Sequence, residues 1–355
     1  MPRLWHSAGY DVHLLGSDRL VGCKSKLLAG RIPCAPGPEA AAGMARAHLA
    51  TDRARYKTIV LADEPTLWAA VDLGSTDWLE GWFPVPLTPA SLALVRSKTA
   101  FLCGSVGAGI STPEFYVCKD ETEVRRAADS MGFPLYVKAS KGWAGSGLLY
   151  VTSQASFEEQ LVRISYENSV VVQKETPGES ASISVLYDHG IPVCWFAYRM
   201  LNTWPNRFSS ACTAQLFPHP GTLPLVRAVG RLTQFTGLAG IDFIWNQETD
   251  QLTLLEFNCR PTPVYHLGPR AGVDFAHALR EMSSGKAEVQ LPNRSAEIIN
   301  LFPQMLYYSV EHLQPAFFLS ALRDAPWAEP ALAAANFRRF LTHYLPDSLK
   351  RMLKR

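Results

Sequence analysis

The sequence of 355 residues holds no long apolar run, no Cys-x-x-Cys pair and almost no net charge, and each shortage removes a class of function. The seven cysteines, at positions 23, 34, 103, 118, 194, 212 and 259, are odd in number and scattered, with no histidine ladder beside them. They read as reduced packing thiols of a cytoplasmic protein, not as a disulfide framework or a zinc site. No stretch reaches the roughly 20 apolar residues of a membrane-spanning helix, and residues 1–7 lack the apolar core of an export signal. A formal charge of +2 gives no broad field for holding nucleic acid. The Gly-Lys-Ser/Thr ending of a P-loop and the dinucleotide fingerprint are missing as well. With 47% hydrophobic and 19% charged residues, the composition fits a soluble globular protein. A chain of this length divides into two or three domains of about 100 to 200 residues each.

The stretch from 240 to 260, Gly-Ile-Asp-Phe-Ile-Trp-Asn-Gln-Glu-Thr-Asp-Gln-Leu-Thr-Leu-Leu-Glu-Phe-Asn-Cys-Arg, carries the most chemistry. Two apolar runs, 241–245 and 252–257, flank a polar turn, the pattern of a β-hairpin. A turn centred on Thr249 sets Asp242 opposite Glu256, and the alternation of side chains puts Glu256, Asn258 and Arg260 on one face with Asp242. Cys259 then points the other way, into packing. Two adjacent carboxylates repel, and acids in so apolar an element need a partner. A hard divalent cation between Asp242 and Glu256 satisfies both, with Asn258 adding a neutral oxygen and Arg260 left for an anionic group such as phosphate.

Upstream, the pattern implies an open α/β layer over about the first 90 residues. A helix end at 4–8 leads into a strand at 9–15, so the layer starts one strand late, and a further strand at 57–62 precedes helical spacing at 67–73. Pro84, Pro86 and Pro89 close that layer. Helical segments follow from Pro89 to Arg96 and from Lys98 to Val106, broken by Gly109-Ile-Ser-Thr-Pro113. Beyond a helix at 122–130, the strand ending in Lys138 meets a glycine loop, Lys141-Gly-Trp-Ala-Gly-Ser-Gly147, and then another strand. Gly142, Gly145 and Gly147 can bring backbone N–H groups close to an anion while Lys138 supplies a point charge. Strands at 170–173, 180–187 and 191–198 and a helix at 223–237 deliver the chain to the hairpin. The basic amphipathic tail, 336–345 and then 348–355, reads as a terminal helix packing its apolar stripe, with a membrane-surface helix as the alternative.

In this order the parts resemble the ATP-grasp superfamily from about Pro89 to Gly285. Ser97-Lys98 with Gly-Ile-Ser-Thr-Pro113 is similar to the family's first nucleotide lysine and the segment after it, and Phe133-Pro-Leu-Tyr-Val-Lys138 with the glycine loop to its second lysine and phosphate flap. Val170-Val-Val-Gln-Lys-Glu-Thr-Pro-Gly-Glu179 resembles the strand and linker that hold the nucleoside. The resemblance implies an α/β (α+β) fold. A pre-ATP-grasp layer would cover 1–90, a central subdomain with the flap 91–168, a C-terminal subdomain with the metal hairpin 169–290, and an extension 291–355. It further implies ATP and magnesium, or manganese in its place, as cofactors, with Lys98, Lys138, Gly142, Gly145 and Gly147 on the phosphates. Gln173 and the backbone of Lys174 to Thr176 would read adenine, and Glu179 the ribose hydroxyls. Asp242, Glu256 and Asn258 match the magnesium ligands, and Arg260 an arginine facing phosphate. Gln173 departs from the Glu that many relatives carry, which keeps an amide for adenine but removes a charge.

The activity so implied is ADP-forming ligation of a carboxylate, activated as an acyl phosphate, to an amine or another nucleophile. Arg199 is the next candidate for the substrate carboxylate or the γ-phosphate. The loop 201–218, with Trp204, Arg207, Ser209 and Ser210, would shape the acceptor site, with Tyr265, His266 and Arg270 nearby. The partners are small-molecule carboxylates and amines. A peptide acceptor, an oligomeric state, and a nucleotide-binding scaffold without turnover stay open at this level.

Overall fold

The computed structural model describes residues 1–140, 147–166 and 169–345. Among them, twelve strands form three sheets. β1 (Val12–Gly16) and β2 (Leu28–Pro33) make a parallel pair. β3 (Phe115–Cys118), β4 (Leu135–Ala139), β5 (Leu148–Val151) and β6 (Val170–Lys174) form an antiparallel sheet in the order β3-β6-β4-β5. The third sheet, also antiparallel, contains β7 (Glu179–Asp188), β8 (Ile191–Thr203), β9 (Ala211–Leu216), β10 (Gly237–Asn246), β11 (Gln251–Asn258) and β12 (Ile298–Asn300), ordered β11-β10-β7-β8-β9-β12.

The four-stranded sheet alternates sharply. Leu135, Val137, Val151, Val170 and Val172 turn to one side and are sealed by Val124, Ala127, Ala128 and Met131 of the helix Glu121–Met131 and by Phe157 and Leu161 of the helix Gln154–Leu161. Both helices begin at side-chain caps, Asp120 accepting from the Glu123 N–H at 2.9 Å and Ser153 from that of Ser156 at 3.2 Å. The residues between, Tyr136, Lys138 and Gln173, face a cleft.

In the six-stranded sheet one face packs Ala181, Ile183, Val185, Ile241 and Phe243 against Leu225, Val226 and Val229 of the helix Thr222–Thr233 and Phe101 of the helix Lys98–Gly107. The other face packs Leu186, Phe196 and Leu238 against Phe275, Ala278 and Leu279 of the helix Phe275–Ser283. Each of the Val, Leu, Ile and Phe side chains contributes roughly 1.5–3 kcal/mol by leaving water. The end of that face carrying Ser180, Ser182, Tyr198 and Asp242 opens into the same cleft.

Three local outcomes differ from the sequence pattern. Residues 57–62 join no ladder, because Thr58, Val60 and Ala62 stay exposed with no strand beside them, although Leu61 still packs inward. β6, grouped by sequence with the strands C-terminal to it, lies between β3 and β4 in the four-stranded sheet, where Val170, Val171 and Val172 are all buried. The segment after 290 is not simply appended. β12 extends the six-stranded sheet beside β9, and Met305, Leu306 and Phe340 bury against Cys212. The amphipathic stretch 336–345 packs Phe337 and Phe340 in this cluster, and residues 348–355 fall outside the described ones. Among the described residues no helix is long and apolar enough to cross a membrane.

Candidate functional site

The cleft between the four- and six-stranded sheets holds about 670 Å³. Its floor is the β10–β11 hairpin, where Asp242 stands opposite Glu256. The turn itself pairs Asn246 with Gln251, a register that taken alone would set Asp242 against Leu255. A bulge at Leu255 inserts the extra residue and restores the acid pair, the kind of re-aiming that bulges perform beside functional sites. It also explains why Leu254 and Phe257, three apart, both reach the core while Glu256 and Asn258 line the cleft. Asn258 donates its Nδ2–H to Asp242 Oδ2 at 2.8 Å. Burial, with Glu256 facing it, pushes the Asp242 carboxyl above its ordinary value. Burial pushes Glu256 up too, but the cations around it, Lys98 first and then Lys138 and Arg260, outweigh that and leave it below its ordinary value. Among the described residues no three His, Cys, Asp or Glu gather, and the acid pair stands here with the Asn258 amide beside it.

Two lysines arrive from the other wall. Lys98, first residue of the helix Lys98–Gly107, reaches Glu256 Oε1 at 2.5 Å. Its position is fixed by hydroxyls and backbone: the Lys98 N–H donates to the Ser140 carbonyl at 2.9 Å, Ser97 caps the helix, and the Ser97 and Ser140 hydroxyls meet at 2.9 Å. Ser140 closes the stretch just beyond β4, so the same contacts hold Lys98 near Lys138. Burial lowers the Lys138 ammonium to about 8, Lys98 adds to that, and Glu256 and Asp242 oppose it.

Above the lysines, Gln173 is 1% exposed and its Oε1 has no hydrogen-bond partner. A buried acceptor left unsatisfied is rare and costs about 1–3 kcal/mol unless a donor arrives. The N–H groups of Lys174 and Glu175 are used inside the protein, by the Glu114 carbonyl at 2.9 Å and the Pro134 carbonyl at 3.3 Å, and the Lys174 ammonium caps Met131. Thr176 follows along the cleft wall. Gly178, at φ +136°, passes so close to Trp245 that a Cβ would sit 2.4 Å from its carbonyl oxygen. Gly147, at φ +72°, packs against Ala139 where the loop rejoins β5. Gly142 and Gly145 lie outside the described residues.

Arg199 and Glu179 are not brought to the cleft. They sit on the opposite face of the six-stranded sheet from Tyr198 and Ser180, bonded to each other at 3.1 Å, with the Arg199 guanidinium 5.5 Å over the Trp245 ring. Strand alternation sends them there, so the expected contacts of Arg199 with substrate or γ-phosphate and of Glu179 with ribose have no side chain in place. Tyr265 is buried in the core, donating to the Ala239 carbonyl at 2.8 Å, and Arg270 pairs with Glu297 at 2.5 Å, whereas His266 lines the cleft. Arg260 lines it as well.

Glu64 and Ser182 escaped the sequence reading. Glu64, first residue of the helix Glu64–Asp72, lies with Oε1 3.8 Å from Arg260 Nε. Its burial raises its carboxyl to about 6 against the pull of Arg260. Ser182 stands beside Asp242 in the pairing of β7 with β10 and holds its carboxyl down. On the rim, Glu175 accepts from Tyr136, Tyr150 and Arg207, and Arg207 comes from the loop between β8 and β9. A helix-capping Asp63-Glu64-Pro65 was the one local signal for Glu64.

Residues 106–264 match the family model of the ATP-grasp domain. The chain is 27% identical to the D-alanine–D-alanine ligase of Xylella fastidiosa over 106 residues, 29% of this chain and 34% of that one. It is 25% identical to D-alanine–D-alanine ligase B of Xanthomonas campestris over 211 residues, 52% of this chain and 62% of that one. The chain thus spans a third to three fifths of the length of these relatives. In fold it is similar to the ADP complex of N5-carboxyaminoimidazole synthetase from Staphylococcus aureus, with a TM-score of 0.64 at 15% identity over 88% of this chain and 83% of that one. Residues 106–264 are thus similar to the ATP-grasp domain, and the chain shares the fold of this synthetase.

Proposed function

We propose that this protein is an ATP- and magnesium-dependent ligase that activates a carboxylate as an acyl phosphate, releasing ADP, and passes the acyl group to an amine, releasing phosphate. The observation that carries the reading is the convergence in one cleft of Lys98, Lys138, the unsatisfied Gln173 Oε1 and the Asp242–Glu256 pair. The residues fit the groups they would hold. Gln173 Oε1 is an acceptor waiting for a donor, as an adenine amino group is, and Asp242 is held high by burial and by Glu256 facing it, both of which a bound cation would offset. Asp242, Glu256 and Asn258 would hold the metal, which when bound neutralises phosphate charge and draws terminal phosphate oxygens into line. Lys98 and Lys138 stabilise negative charge as it develops on the transferred phosphoryl group. Lys98 would exchange Glu256 for phosphate as the nucleotide seats. No protein nucleophile is needed, since alignment in a site that excludes water supplies most of the effect.

The test is an ADP-release screen of carboxylates paired with amines, small molecules and peptides alike, with ATP and magnesium. Lys138→Ala and Glu256→Ala are expected to lower turnover by at least about a hundredfold, the loss typical of one preorganised charge contact. Turnover retained in both variants would overturn the site. Tight ATP binding with no ADP release across the screen would instead mark a nucleotide-binding scaffold.

A further inference from the structure

Beside the cleft lies a second cavity of about 330 Å³, between the helix Glu64–Asp72, the helix Lys98–Gly107 and β11. The two spaces share four residues, Glu64, Lys98, Leu255 and Glu256, so the second cavity opens at the acid end where the phosphoryl group would be transferred. Its walls include Trp68, Leu94, Phe101 and Leu255. The charges around it do not cancel. Arg96 pairs with Asp72 through both carboxylate oxygens at the outer rim, and Lys98 pairs with Glu256 at the inner end. That leaves Glu39 and Glu64, and the nearest cation to Glu64 is Arg260 at 3.8 Å, beyond hydrogen-bond reach.

Resting on the ligase reading above, we infer that this cavity is the subsite of the amine substrate, a primary amine with an apolar body, and that Glu64 binds its ammonium group where the two cavities meet. Three properties agree with that occupant. The apolar walls take the body out of water, the Glu64 carboxylate, whose arginine partner stands off at 3.8 Å, supplies the complementary charge, and the shared residues put the nitrogen next to the site of acyl transfer, where Glu64 takes the proton it must lose before attack. Glu64 is only 13% exposed, and the weight of its burial over its arginine partner raises its carboxyl, the mark of a buried acid still short of positive charge. The space accommodates a body of arylalkyl or branched-alkyl size.

The probe is phenethylamine, with 2-phenylethanol as its neutral counterpart, titrated calorimetrically into the full chain without nucleotide. The amine is expected to bind at least about tenfold tighter than the alcohol, the worth of one charge-assisted hydrogen bond. Glu64→Gln should remove that preference, Glu64→Asp should keep part of it, and Leu94→Trp, which narrows the cavity, should weaken both probes together. Equal binding of amine and alcohol, or a preference surviving in Glu64→Gln, overturns the assignment. In turnover, Glu64→Gln should raise KM for the amine by a factor well above its effect on hydroxylamine trapping of the activated carboxylate; equal losses in the two would make Glu64 a part of carboxylate activation instead. A wild-type protein that releases no ADP with any carboxylate defeats the ligase reading alone, because the calorimetric preference is read without turnover.

Discussion

Lys138 and Glu64 are charged groups held where charge is disfavoured, and both make the ligand-free protein less stable than it need be. The native Lys138 ammonium titrates at about 8, below its ordinary 10.5, mainly through burial. The unfolded chain therefore holds that proton more tightly, and the cost is present below pH 8 and relieved as pH rises from 8 toward 10.5. Lys138→Met should raise the unfolding midpoint of the ligand-free protein at pH 7 and gain less at pH 10, while abolishing turnover. Chemical denaturation at the two pH values checks it, and a lower midpoint at pH 7 would mean that Lys138 is held by its acids more than it is opposed by burial. For Glu64 the native value of about 6 lies above the ordinary 4.5. The native state binds the proton better, so its favourable contribution is present below pH 4.5 and lost as pH rises through 6. Glu64→Gln is thus expected to stabilise the ligand-free protein at pH 7 by up to about 2 kcal/mol, at 1.36 kcal/mol per pKa unit, with the gain vanishing near pH 4. A gain independent of pH would show that shape, not charge, is responsible.

The hairpin from β10 to β11 was legible in sequence because its evidence is local: two apolar runs, one polar turn and a period of two. Its acid pair came out as expected, yet through a turn one step off-centre and a compensating bulge at Leu255, whose trace in the sequence is the three-residue spacing of Leu254 and Phe257. Arg199 and Glu179 were misread for the complementary reason. Which face a residue of β7 or β8 presents depends on neighbouring strands far away in sequence, and no local pattern reports it. Glu64 was invisible because the packing of an N-terminal helix, not a motif, carries it to the cleft. The loop between β8 and β9 was expected to shape the acceptor side, but its Arg207 reaches across to the four-stranded sheet, 2.8 Å from Glu175 Oε1 and 4.4 Å over the Tyr150 ring. Half-exposed pairs of this kind contribute at most about 1 kcal/mol, so Arg207→Ala should leave the unfolding midpoint nearly unchanged. It should nevertheless free the loop, and limited proteolysis at residues 204–210 should speed up several-fold. Cleavage at the wild-type rate would mean that the stacking of Trp204 on Tyr307, 4.3 Å between ring centres, holds the loop by itself.

Across the whole molecule, the four-stranded sheet keeps its own buried cluster, while the six-stranded sheet shares its two clusters with helices on either face. Among the described residues the two sheets are joined near the cleft by a short set of polar bonds, Ser97, Lys98 and Thr99 to Ser140 and Arg207 to Tyr136 and Glu175. A small cluster with few ties opens at lower free energy than the body it leans on. In the ligand-free protein the amides of Val137 in β4 and Val172 in β6 are therefore expected to exchange with solvent faster than those of Ile183 in β7 and Phe196 in β8. A nucleotide seated between Gln173 and the acids would tie the sheets together, since it touches both only when they are closed. At a concentration about 100 times its dissociation constant a ligand adds about 2.7 kcal/mol to the closed state, so magnesium and ATP should slow exchange throughout β4 and β6 by up to about a hundredfold. Residues that do not line the cleft, such as Cys118 in the neighbouring β3, would slow along with those beside it. Glu256→Ala should remove most of the magnesium-dependent part and leave the slowing by ATP alone. Protection confined to the residues lining the cleft would show that the two sheets already open as one unit, and protection equal with and without magnesium would remove the cation from the Asp242–Glu256 pair.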